Sequence, residues 1–153
     1  MPFTRIRPDP RSEGPTVSLR SRLYSSRMAR PCNVGVPTRV GNGSMFPVAE
    51  LVLDDMALQP YIHDTCVVLR RARKVHLFKI FYKNHKWLPR NTSVRQIFYG
   101  DAFIMRKGAT TSKQYVNLRP GDGELADYIM KRFAELRRRR KGIPKKVEFT
   151  KRF

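Results

Sequence analysis

Apolar and polar residues change their rhythm several times along this chain, and each rhythm predicts a different element. From Pro47, the apolar positions Val48, Leu51, Val52 and Met56 recur at helical spacing up to Pro60, which predicts a short helix with Glu50, Asp54 and Asp55 on its solvated side. Cys66-Val67-Val68-Leu69-Arg70 and the run Val75 to Tyr82 are rich in β-branched and aromatic residues. Joined by the polar link Arg71-Ala72-Arg73-Lys74, they predict two strands. The second has apolar residues on both alternating faces, Val75, Leu77 and Phe81 on one and Phe78, Ile80 and Tyr82 on the other, as suits a strand covered on both sides. A loop from Asn84 to Asn91 follows, and Ser93 to Phe98 reads as a helical turn. Ala102 to Arg106 and Gln114 to Leu118 predict a hairpin with a small polar connection from Gly108 to Ser112. The clearest pattern is the last: Leu125, Tyr128, Ile129, Phe133 and Leu136 form the stripe of an amphipathic helix. Asp122 stands as its N-cap, Glu124 at the positive end of its dipole, Arg137 to Lys141 at the negative end, and Gly142 and Pro144 as stop signals. The core expected from these elements is Val67, Leu69, Leu77, Ile80, Phe103, Met105, Val116, Leu118, Leu125, Ile129 and Phe133.

The N-terminal segment has no such rhythm at first sight. Most of the prolines, with Gly35, Gly41, Gly43 and many Ser and Arg, precede Val48. Proline removes backbone donors and few apolar residues remain to offset the entropy of ordering, so residues 1–46 read as an extended or disordered basic arm. Their Arg and Ser content, and Arg22-Leu23-Tyr24-Ser25, resemble a mitochondrial presequence, whereas Asp9, Glu13 and the early prolines break the amphipathic helix such a signal forms. An intracellular location is expected, with nucleus, cytoplasm and mitochondrion all open. The domain organisation is thus an arm (1–46), a single domain (47–141) and a basic tail (142–153). The fold class is α+β: a small, mostly antiparallel sheet of about four strands, a C-terminal amphipathic helix and a disordered N-terminal arm.

Charge turns this outline toward a function. The chain has 153 residues with 32 Lys+Arg against 12 Asp+Glu, a formal charge of +20. A small domain needs a net charge of only ~2–8 for solubility. No run approaches the ~18 apolar residues of a membrane-spanning helix. The basic residues cluster: Arg70, Arg71, Arg73 and Lys74 at the strand junction; Lys83, Lys86 and Arg90 around His85 and Trp87; then Arg137, Arg138, Arg139, Arg140 and Lys141, followed by Lys145 and Lys146. Phosphate backbones reward such charge through counterion release, and Arg or exposed aromatic rings stack on unpaired bases. A non-enzymatic protein that binds the phosphate backbone of RNA or DNA is expected, possessing the build of a ribonucleoprotein or organellar ribosome component. The alternative is an interaction module for an acidic protein or anionic lipid. No zinc finger, KH loop or RRM signature is present, so the signal is one of composition.

Other chemistry finds less support. Cys32 and Cys66 make neither a disulfide framework nor a complete zinc site, and His63 with Cys66 supplies half a ligand set at most. Gly121-Asp122-Gly123 lacks the P-loop lysine and the dinucleotide fingerprint and reads as a turn and cap. Glu50, Asp54, Asp55 and Asp64 form an acidic island without a cation-binding loop. No nucleophile, base and stabiliser assemble, so no enzyme activity and no cofactor is expected. Tyr99-Gly100-Asp101-Ala102-Phe103-Ile104-Met105-Arg106, Tyr115-Val116-Asn117-Leu118-Arg119 and Leu125-Ala126-Asp127 together resemble a pattern in uncharacterised fungal proteins. The resemblance implies an origin and carries no activity.

Overall fold

The computed structural model describes residues 15–53, 62–83, 85–108, 114–139, 142 and 144–152. Eight strands form one curled, half-barrel sheet and a single long helix lies on it: β1 (Thr16–Tyr24), β2 (Cys32–Gly41), β3 (Ser44–Pro47), β4 (His63–Arg71), β5 (Lys74–Tyr82), β6 (Ala102–Lys107), β7 (Tyr115–Val116), α1 (Asp122–Arg139) and β8 (Lys146–Lys151). The spatial order is β3-β2-β1-β6-β5-β4-β8, with β7 paired on β6. All pairings are antiparallel except β4 with β8.

This corrects the expected fold class. The fold is mostly β, its sheet is far larger than four strands, and the segment read as a disordered arm supplies β1, β2 and most of β3. The reason is local alternation under an unfavourable composition. In β1, Leu19 and Ser21 are buried on one face while Tyr24 is buried on the other. In β2, Val36 and Thr38 are buried and register against Leu19 and Val17. The prolines fit an edge: Pro47 ends β3, and Pro37 stands one residue past the last β2–β3 pair, its carbonyl accepting the Val48 N–H at 2.8 Å. Asn42-Gly43 makes the two-residue turn between them, Gly43 taking a φ of 75°. Residues 1–14 lie outside the described residues.

Both faces of the sheet are covered at its centre. On one, Val67, Leu69, Phe78, Ile80, Tyr82 and Ile104 meet Leu125, Ile129, Met130 and Phe133 of α1. On the other, Leu19, Val36, Phe81, Phe103 and Met105 pack with Ala49, Leu53 and Tyr115. Of the expected core residues only Leu77 and Val116 are half-buried rather than buried. Tyr24, Phe98, Val147 and Phe149 join the core from segments read as arm, helical turn and tail.

The expected helix after Pro47 is reduced to a 3-10 turn, Ala49–Leu51, and its remainder at 54–61 lies outside the described residues. Ser93 to Phe98 is irregular rather than a helical turn. Asp122 opens α1 but turns its carboxylate backward, accepting the Arg119 N–H at 2.7 Å. Among the described residues no helix is long and apolar enough to cross a membrane.

Candidate nucleic-acid interface

The β4–β5 hairpin turns tightly, Arg71 pairing with Lys74 across Ala72-Arg73, so Arg70, Arg71, Arg73 and Lys74 crowd the tip. Parallel pairing sets Arg71 beside Lys151 of β8 and brings Arg152 to the same end. Between this tip and the start of α1 opens a cleft of about 410 Å³, lined by Arg71, Lys74, His76, Arg106, Arg119 and Asp122 among others. Four cationic side chains there face one carboxylate.

Arg106 is the buried member, held at 3.0 Å from Asp122 and stacked 5.3 Å over the Phe78 ring. Burial draws its guanidinium below the ordinary arginine range, against the opposing pull of Asp122. His76 approaches Arg106 at 3.2 Å. Its imidazole is pushed below the usual histidine range by burial first, then by Arg106. Arg106 absorbs the Asp122 charge, which would otherwise repel a phosphate at this helix start. Lys74 and Arg119 are exposed at the mouth.

The remaining expected residues go elsewhere. β5 runs away from the hairpin tip, so Lys83, Lys86, Trp87 and Arg90 lie at the opposite end of the sheet. Lys83 is fully buried, which closes its side chain to an external phosphate. Lys86 and Arg90 are exposed, and Trp87 is 79% exposed. The C-terminal end of α1 reaches this same end, where Arg137 donates to the Gly142 carbonyl as a helix-end contact, while Arg138 and Arg139 face solvent. Arg140 and Lys141 fall outside the described residues. Lys145 and Lys146 enter β8 here, Lys146 lying 3.6 Å from Glu148 in an exposed pair of little energetic weight. The charge therefore gathers at two ends of α1, whose 18 residues span about 27 Å.

Sequence reasoning missed His76 and Arg106, which sit inside β5 and β6, and Arg119, which stands alone in the segment before α1; none belongs to a charge run. The signal available for Arg106 was its alternation with the buried Ile104 of β6. Cys32 and Cys66 are free thiols on strands, and Lys107 Nζ lies 3.5 Å from the Cys66 sulfur. Among the described residues no three His, Cys, Asp or Glu side chains converge as metal ligands. No family model, curated protein or solved structure matches the chain.

Proposed function

We propose that this chain binds the phosphate backbone of nucleic acid, RNA foremost, without catalysing a reaction, as a ribonucleoprotein component does. The observation that carries the reading is the cleft in which Arg71, Lys74, Arg106 and Arg119 face the single carboxylate of Asp122. Lys151 of β8 pairs beside Arg71 at the same end of the sheet, and Arg73 stands in the turn of the hairpin. A second cationic end stands about 27 Å away along α1. A small anion reaches one end only, whereas a polymer engages both, which favours a nucleic acid over free phosphate.

Anisotropy of a labelled single-stranded RNA, titrated with the full chain at several salt concentrations, tests this. The slope of log K against log salt should be about −0.7 per phosphate neutralised. Changing Arg71, Lys74 and Arg119 together to Gln should flatten it by about two units and weaken unrelated sequences alike, since backbone contacts carry no sequence information. The Arg138, Arg139 and Arg140 to Gln variant probes the other end in the same way. No binding at low salt overturns the reading. Equal binding to an acidic protein or to anionic vesicles would transfer the surface to the interaction-module alternative.

A further inference from the structure

Between β5 and β6 the chain makes a long connection in which, among the described residues, the isolated bridge of Arg90 with Tyr99 is the one strand-like pairing. Loops of this length in a compact fold are uncommon and usually functional. This one is firmly held. Asn91 is buried and donates to the carbonyls of Tyr24 at 2.7 Å and Gly100 at 2.9 Å. Thr92 and Ser93 hydroxyls both donate to the Met28 carbonyl at 2.8 Å. Leu88, Val94 and Phe98 are buried, and Phe98 meets Tyr82 and Phe133 with ring centroids 6.3 Å apart in each case. At Gly100 a Cβ would come within 2.3 Å of the Lys83 carbonyl oxygen, and its φ of 86° excludes most other residues.

What the anchored loop presents is unlike ordinary surface. Trp87 is 79% exposed, with its backbone N–H donated to the His85 Nδ1 at 3.3 Å. Lys86, Arg90 and Arg95 are exposed in the same loop, and no carboxylate occurs from Lys83 to Gly100. Beside the loop, residues 93–96, α1, Tyr24 and Pro31 line an open pocket of about 480 Å³. Val94 and Met130 contribute apolar lining, Gln96 a planar amide, and the exposed Arg95 and Lys131 two cations. Asp127 is the one acid there, and it is already engaged by Arg22 at 3.1 Å and by the Tyr24 hydroxyl at 2.8 Å. A flat exposed ring, uniform positive charge and a pocket with apolar lining and an amide match an unpaired base flanked by phosphates. Duplex hides its bases from such a surface, and a lipid headgroup lacks a planar ring to stack on Trp87.

We propose that this loop selects single-stranded nucleic acid, stacking one base on Trp87 and lodging another in the pocket between residues 93–96 and α1. Gln96 pairs with the base edge, and Arg95 and Lys131 meet the adjoining phosphates. The proposal rests on the polyanion reading above and adds the preference for unpaired bases. Trp87 is the single tryptophan of the chain, so its fluorescence reports stacking without labelling. The full chain is titrated with a single-stranded RNA, the same sequence as single-stranded DNA, the RNA duplex, and an abasic strand of equal length. Binding is followed in parallel by anisotropy.

Quenching by both single strands, with little from duplex or abasic strand, is the expected result; which single strand quenches at lower concentration separates RNA from DNA. Trp87→Ala should weaken single-strand binding by roughly 5- to 150-fold and leave the abasic strand unaffected. Gln96→Ala, which removes the amide that pairs with the base edge, should bring the single strand toward the abasic affinity. Binding of all four ligands with no quenching, and no effect of either substitution, overturns the base-recognition proposal while sparing the backbone reading. Binding of none overturns both. Quenching by an acidic peptide as strong as that by RNA assigns the loop to a protein partner and overturns it too.

Discussion

At the scale of single residues, buried charge governs this molecule more than its visible surplus does. The Arg106–Asp122 pair sits with side chains only 9% and 5% exposed, inside the cleft that also holds His76. Removing one member strands the other in a low-dielectric site, so Asp122→Ala should lower unfolding stability by about 3–5 kcal/mol in denaturant melts. A loss below 1 kcal/mol would mean that Arg106 reaches water on its own. His76 gives a pH signature. Its pKa is lowered in the fold, by burial first, so the unfolded chain binds the proton more readily. Stability is therefore complete above the unfolded value of about 6.5 and falls as pH drops through it. His63, lowered by burial and Arg137, adds to the same trend. Denaturant midpoints taken from pH 7.5 to 5.5 should decline, and His76→Gln should lessen the decline; an unchanged slope would remove His76 as a cause.

At the scale of elements, α1 is the part whose sequence and structure agree best. Its stripe spans Leu125 to Phe133 in the core, with Leu136 packed against it. Phe133 is fully buried, 4.9 Å from the Tyr82 ring and 6.3 Å from Phe98, so one side chain joins sheet, helix and loop. Phe133→Ala should cost ~3–5 kcal/mol. An effect near zero in urea melts would place the ring at the surface and contradict the helix register. The β4–β5 hairpin was also legible, because β-branched and aromatic runs with a polar link are a short-range signal. The candidate site was legible only in part. Arg70 to Lys74 stand out as a run, but Arg106 joins them only because β6 pairs on β5, and Arg119 only because the segment before α1 returns to the same end.

At the scale of the whole molecule, β8 closes one edge of the sheet and ties the C-terminal segment to β4. Val147 and Phe149 are buried on the helix side, and Thr65 Oγ1 donates to the Pro144 carbonyl at 2.7 Å. A basic tail that merely met phosphate could be removed without loss of fold. Ending the chain after Pro144 should instead expose the β4 edge, lower the melting temperature and promote association, as an uncovered strand edge does. A truncated chain as stable and monomeric as the full one would show that β8 adds nothing to the fold.

Local sterics made some elements readable from sequence alone. Helical spacing in α1 and the β-rich runs of β4, β5 and β6 depend on each residue and its near neighbours, so one stretch of chain carries the whole signal. The basic excess was equally plain, being a count. β1 and β2 carry the same alternation, and an Asn42-Gly43 turn joins β2 to β3, yet proline and arginine content dominated the segment as a whole. Their stability comes from burying Leu19, Tyr24 and Val36 against residues far along the chain, and no local pattern states that partner. The same holds for function. Which charges stand together at the cleft, which lysine is buried at the start of the β5–β6 loop and where Trp87 is exposed depend on strand order and direction. Those follow from how distant apolar faces cover one another, so they were decided only by the tertiary structure.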